Sequence, residues 1–328
     1  MNVAKIPKVE LHLHLEGAAP PTFIKQLAHE KKMDIGGVFD ADGNYAFDDF
    51  PHFLKVYEAA TSVLKSPEDY ARLTLAVLEE SAKDGAIYSE VFMSPDFCGG
   101  GDVGAWKEYL HATQEAANTA ETKFDILLRG IVTCVRHFGP DKAKASALCA
   151  AETAGDWVVG FGMGGDECMG RQSDFAYAFD MAREAGLGLT THAGEFEGAD
   201  SVKDALRNLR VTRIGHGVRA IEDAALVREI VDHEITLEIC PGSNVALGVY
   251  PDVKSHPIEK LRNAGVKVTV STDDPPFFRT SLHSEYDMLN SAFGWDHDVF
   301  MEINKTAANA AFCDTETRLR VLKKLETT

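Results

Sequence analysis

The chain has 328 residues, 45% hydrophobic and 26% charged, with 12 prolines and no low-complexity tract, which is the composition of an ordinary folded globular protein. A formal net charge of −18 argues against nucleic acid or an anionic membrane as a partner, because both repel an acidic surface. The opening Met1-Asn2-Val3-Ala4-Lys5-Ile6-Pro7-Lys8 has no apolar signal-peptide core, and no run of about 18 apolar residues could span a bilayer, so a cytoplasmic protein is expected.

Short β-branched apolar runs alternate with longer stretches of helical periodicity, the pattern of βα units around a parallel sheet. Eight strands are predicted, at Val9–Leu15, Ile87–Ser94, Ile126–Val135, Trp157–Met163, Leu187–His192, Arg213–Val218, Thr236–Ile239 and Lys267–Ser271. Helical spacing of apolar residues predicts helices at Pro67–Ala82, Ala105–Ala120, Ser173–Ala185 and Ala220–Asp232. Ser66-Pro67-Glu68-Asp69 reads as a helix start, with a capping serine, proline at the first helical position and acids in the first turn. Eight strands favour a closed (β/α)8 barrel over an open doubly wound sheet, and barrels of this length form one domain, here residues 1–328. The long interval after the first strand carries Phe47, Phe50, Phe53, Leu54 and Tyr57. That apolar surface fits an inserted helical cover over the barrel mouth or a helix packed outside.

Barrel enzymes gather their reactive groups at the C-terminal ends of strands. The first strand ends His12-Leu13-His14-Leu15-Glu16-Gly17, and residues two apart on a strand point the same way. His12 and His14 therefore share one face while Leu11, Leu13 and Leu15 take the other. Two adjacent imidazoles suit a divalent metal, although an isolated His-x-His fits a hydrogen-bonded core pair as well. The fifth strand ends Thr191-His192-Ala193-Gly194-Glu195, the sixth Arg213-Ile214-Gly215-His216-Gly217, and the eighth Ser271-Thr272-Asp273-Asp274-Pro275. Imidazoles, carboxylates and glycines that could leave room for a ligand thus converge at four strand ends.

These segments, together with Gly164-Gly165-Asp166-Glu167, closely resemble in this order the adenosine deaminase family of the amidohydrolase superfamily, from Pro7 to beyond Pro275. The resemblance implies that His12, His14, His192 and Asp273 hold one Zn2+, a donor set that leaves a position for water as catalytic zinc sites do. Binuclear relatives carry a modified lysine at the end of the fourth strand. Trp157 to Glu167 contains none, so a single metal is expected. By the same resemblance His216 would take a proton from the attacking water, and Glu195, partly protonated by burial, would donate one to ring nitrogen N1. Asp274 would meet purine N7 and the Gly165 N–H would meet N3.

The implied partner is a small 6-aminopurine, with adenosine expected first. Ser94-Pro95-Asp96 and Pro275-Pro276-Phe277-Phe278 look adenosine-type, but Glu16 stands where many adenosine deaminases have a ribose-binding aspartate, which keeps adenine or a modified nucleoside as the alternative. The absence of C-x-x-C sets aside cytidine-deaminase-type zinc chemistry, and most of the six cysteines are expected to be small buried hydrophobes. An ester or amide hydrolase fits the paired acids Glu195 and Asp274 less well than a nitrogen-rich ring does, and an inactive ligand-binding barrel is the non-enzymatic alternative. His29, His52, His111, His233, His256, His283 and His297 are expected in surface or satisfied structural roles. His137 and Glu285 are left unassigned, and the oligomeric state has no signal in the sequence.

Overall fold

In a computed structural model, residues 3–327 are described. The first four strands are β1 (Lys8–His14), β2 (Ala86–Met93), β3 (Leu127–Val135) and β4 (Val158–Gly164). The fifth barrel position is shared by two short strands, β5 (Gly188–Leu189) and β6 (His192–Ala193). The round ends with β7 (Arg213–His216), β8 (Thr236–Ile239) and β9 (Lys267–Val270). All pairings are parallel, in the orders β1-β2-β3-β4-β5 and β6-β7-β8-β9.

The two sheets join into a (β/α)8 barrel at two seams. At the fifth position Thr190 N–H donates to Phe161 O (3.1 Å) and Gly215 N–H to Thr191 O (2.9 Å), so the chain bridges β4 and β7. At the other seam His14 N–H donates to Asp273 O (3.0 Å) and Asp273 N–H to His12 O (3.1 Å). Ser271 Oγ accepts there from the Leu11 and His12 N–H groups, so a side chain replaces part of the ladder.

The predicted strands are all present, with ends shifted by a residue or two, and the fifth is split rather than continuous. The helix Pro67–Lys83 begins as read from sequence: Ser66 and Asp69 form a reciprocal capping box. The stretch 105–120 lies within a longer helix, Val103–Phe124. Two predictions need correction. The stretch 220–232 divides into a 3-10 turn, Val218–Glu222, and a helix, Ala224–Asp232, because the Asp223 carboxylate caps the N–H groups of Ala225 and Leu226. The stretch 173–185 likewise opens with a 3-10 turn, Gln172–Phe175, before the helix Ala176–Glu184.

Alternation along β1 sets the rest. Val9 and Leu11 pack outward against Ala307 and Ala308, while Glu10, His12 and His14 take the other face, inside the barrel. The interval after β1 forms three helices, Pro21–Lys31, Phe50–Thr61 and Pro67–Lys83. Phe50, Phe53, Leu54 and Tyr57 of the second line the mouth, with Phe53 against Phe278 (5.1 Å between centroids), so this insertion is a cover. All six cysteines are unpaired, five buried and Cys168 exposed. Among the described residues no helix is long and apolar enough to cross a membrane.

Candidate active site

The imidazoles of His12, His14 and His192 and the Asp273 carboxylate each place one ligating atom within 4.8 Å of all the others, at the mouth of the barrel. His14 Nε2 lies 3.2 Å from His192 Nε2 and 3.3 Å from Asp273 Oδ1, and His12 Nε2 lies 3.5 Å from the same oxygen. Each outer nitrogen of His12 and His192 has a partner that fixes the ring. His12 Nδ1–H donates to Glu238 Oε2 and His192 Nδ1–H to the Met163 carbonyl, both at 2.8 Å. Their Nε2 lone pairs therefore point inward, and His12 Nε2 is a buried atom with no hydrogen-bond partner. Convergent lone pairs beside a carboxylate suit a divalent cation, so the residues present fit a bound metal.

Glycine makes the clustering possible. A Cβ on Gly215 would lie 2.7 Å from the His12 ring, and one on Gly164 would crowd both His192 and His14. The strand-end glycine at 215 thus leaves room for an imidazole, not for a ligand. His216 and Asp273 both adopt left-handed backbone (φ 61° and 68°), a conformation that costs a side-chain-bearing residue energy and is concentrated at functional sites.

The cluster opens into a cavity of about 730 Å³, mouth included, lined by His14, Glu16, Glu195, His216, Asp273 and Asp274 and capped by aromatic side chains. Three buried acids face it without a cationic partner. Burial pushes Glu16 up to about 7, and burial with the neighbouring charges of Asp273 and Glu167 pushes Glu195 well above the carboxylate range. Burial together with Asp273, Glu195 and Glu16 does the same to Asp274. Burial holds His216 neutral, its pKa lowered to about 3. Its Nε2 is 3.5 Å from Glu195 Oε2 and 3.8 Å from Asp273 Oδ2. Glu16 is held by the Tyr70 hydroxyl at 3.0 Å, and Gly165, at φ 95°, adjoins the His137 ring.

All nine residues singled out from the sequence therefore line or form this one site. His137, unassigned before, also lines it, with Nε2 3.5 Å from Glu58. Glu285 does not; it is buried beneath the mouth, accepting from Gly242 N–H and the Thr280 hydroxyl. Sequence reasoning missed the supporting set. Glu167 accepts from the N–H groups of Gly194, Glu195, Phe196 and Glu197 and from the Ser201 hydroxyl, and Ser243 Oγ donates to Asp273 Oδ2 at 2.7 Å. Gln172 donates to the His192 carbonyl, and Asn244 donates to Glu195. One signal was available: Glu238 is a lone acid inside the apolar strand Thr236–Ile239.

The family model for adenosine deaminase matches residues 7–328. The chain belongs to the adenosine deaminase family. As a member of it, the protein is a hydrolytic deaminase. The adenine deaminase of Rhizobium rhizogenes is 49% identical over 321 residues, 98% of this chain and 99% of that protein. The adenine deaminase of Agrobacterium fabrum is 49% identical over 319 residues, 97% of each. Among solved structures, the adenine deaminase of Arthrobacter aurescens superposes with a TM-score of 0.90 at 28% identity, covering 98% of both chains. An amidohydrolase of Burkholderia ambifaria, solved with bound zinc, superposes with a TM-score of 0.85 at 25% identity, covering 98% of this chain and 91% of that one.

Proposed function

We propose that this deaminase converts adenine and water to hypoxanthine and ammonia, using one Zn2+ held by His12, His14, His192 and Asp273, with residues 1–328 working as one barrel domain. The observation that carries the choice of substrate is Glu16. Its buried carboxyl stands on the cavity wall where the family resemblance puts a ribose-binding aspartate, and it is one methylene longer than that residue. There it offers an acceptor to the N9–H that adenine has and adenosine lacks.

The sequence-based preference ran the other way, toward adenosine, and the relatives at 49% identity named adenine deaminases favour the alternative. Of the two segments behind that preference, Ser94 and Phe278 line the cavity, whereas Asp96 and Phe277 have structural work. Asp96 is hydrogen-bonded to Ser146 and paired with Lys142, away from the cavity, and Phe277 stacks on Tyr45 at 3.8 Å.

A zinc ion at these four ligands supplies an activated water at neutral pH. The chain's own residues do the rest. Glu195, protonated through burial, hydrogen-bonds N1 and passes its proton there as water oxygen bonds to C6. Asp274, protonated for the same reason, donates to N7, and Gly165 N–H donates to N3, so the ring edge is read and C6 is held in register. His216 hydrogen-bonds the incoming water between Asp273 and Glu195. One proton of the water passes, by way of Asp273, to the amino group, the C6–N6 bond breaks and ammonia leaves; the other returns to Glu195 as the C6 oxygen becomes the hypoxanthine carbonyl, N1 keeps the proton that Glu195 gave it, and the aromatic cover keeps bulk water out. The six unpaired cysteines support a reducing cytoplasmic setting.

The test is a comparison of kcat/KM for adenine, adenosine and deoxyadenosine on the purified protein and on Glu16→Asp. Adenine should lead, and Glu16→Asp should weaken adenine selectively. An adenosine kcat/KM above that of adenine would overturn the assignment.

A further inference from the structure

Behind Glu195 and His216 lies a fully buried side chain that the reaction scheme does not use, Asn244, on the short helix Pro241–Ala246 that follows β8. Its amide nitrogen is 3.0 Å from Glu195 Oε1 and 3.2 Å from His216 Nδ1, and its amide oxygen is 3.1 Å from His256 Nε2. Its backbone is equally engaged: N–H donates to Cys240 O, and the carbonyl accepts from Val249 and Tyr250. We propose that Asn244 is the positioning residue of this site, its amide oriented by His256 so that it holds Glu195 and fixes the His216 tautomer with the proton on Nε2.

The assignment of protons starts from a donor that has no freedom. The backbone N–H of Ile258 donates to His256 Nδ1 at 3.2 Å, so that nitrogen is an acceptor. His256 is 1% exposed, and burial keeps it neutral, its pKa lowered to about 3; its one ring proton is then on Nε2. An Nε2–H facing Asn244 requires the amide oxygen on that side, since the flipped amide would set two donors against each other. The two amide hydrogens then point at Glu195 Oε1 and His216 Nδ1. A neutral imidazole that accepts at Nδ1 carries its proton on Nε2, the atom that faces Asp273 and Glu195. His216 thus presents an N–H donor to the reacting water, in place of the proton-accepting nitrogen that the family resemblance implied. The carboxyl of Glu195 is held by the same amide, so one side chain sets the separation between the two.

The inference rests on the proposed roles of Glu195 and His216, but its central observable is read without substrate. Nitrogen NMR of the zinc-loaded protein with 15N-labelled histidine, assigned against His216→Gln, should show His216 Nδ1 unprotonated and Nε2 protonated. A His216 proton on Nδ1 overturns the proposal whatever the substrate turns out to be. In Asn244→Asp the new carboxylate accepts where the amide donated, so the His216 proton should move to Nδ1. Losing the donor should lower kcat about ten- to a hundredfold with KM little changed. His256→Phe, which releases the amide without touching either partner, should lower kcat roughly tenfold and broaden or split the His216 signals. Unchanged kcat and an unchanged His216 spectrum in either folded variant overturn the role of Asn244. Should Asn244→Asp fail to fold, the wild-type spectrum and His256→Phe decide alone.

Discussion

The two ends of the barrel treat buried charge in opposite ways. Toward the N-terminal ends of the strands the buried cations Lys8 and Arg213 have partners, although Arg213 Nη2 finds none. Lys8 Nζ donates to the carbonyls of Val3, Ile6 and Asp84 at 2.8–3.0 Å, and Arg213 pairs with Glu90 at 2.7 Å and with Glu238 while lying over the Phe312 ring. At the mouth Glu16, Glu195 and Asp274 have no cation, and Asp274 Oδ1, His12 Nε2 and His216 Nε2 are buried without a hydrogen-bond partner. Burying a polar group without a partner costs free energy, so the mouth is tolerable only as a place where something else completes it. The comparison teaches where to look for function: at the uncompensated end.

Removing a mouth acid should damage chemistry, and the largest loss belongs to Glu195→Gln. Loss of a general acid lowers kcat by about 10²–10⁴-fold, and zinc content and unfolding temperature should stay at wild-type values. Turnover within a few-fold of wild type would remove Glu195 from the reaction. At the base the same kind of change should damage stability. Arg213→Met leaves Glu90 and Glu238 buried without their cation, and should cost roughly 3–5 kcal/mol in urea unfolding. A loss of under about 1 kcal/mol would show that the base is not held by this pair. Asp274→Asn sharpens the contrast within one side chain. Replacing a buried, protonated acid by its neutral amide should leave stability within about 1 kcal/mol of wild type, while kcat/KM falls about ten- to a hundredfold as the N7 contact is weakened. A stability cost matching that of Arg213→Met would erase the distinction between the two ends.

How far the molecule could be read from its residues follows the same division. His12 and His14 were legible because strand periodicity alone puts them side by side, and His192, His216 and Asp273 because strand ends in a barrel meet at one mouth. Their supports were not. Glu238 reaches His12 across 226 positions of sequence, and Asn244 reaches Glu195 across 49; no local pattern encodes either contact. Gly215 illustrates the limit in miniature, since only the fold shows that the space it leaves is filled by the His12 ring. The split of the fifth strand was equally hidden. Thr190 and Thr191 have ordinary strand character, but their hydroxyls are turned to Glu238 and Gln172. Substrate choice was the least legible, because the two segments weighed for adenosine put Ser94 and Phe278 on the cavity wall, and neither side chain distinguishes a free base from its nucleoside.

Glu285 tests the comparison in a third way, because it is compensated by neutral donors alone. Burial raises its pKa to about 8, against the opposing hydrogen bonds from Thr280 and Gly242, whereas in the unfolded chain it titrates near 4.5. Between these values the folded protein keeps a proton that the unfolded chain has released. Its contribution to stability is therefore fully present below about 4.5 and is lost as pH rises toward 8. Other groups titrate in the same range, notably Glu10 and Glu16, both raised to about 7 by burial, so the wild-type curve alone cannot isolate it. The difference between wild type and Glu285→Gln does. The amide is neutral throughout, so its stability disadvantage relative to wild type should shrink by about 3 kcal/mol between roughly pH 5.5 and pH 8 in urea unfolding. A difference that stays constant would mean that Glu285 is ionised when folded, and that two neutral donors suffice to hold a buried carboxylate where the base of the barrel uses arginine.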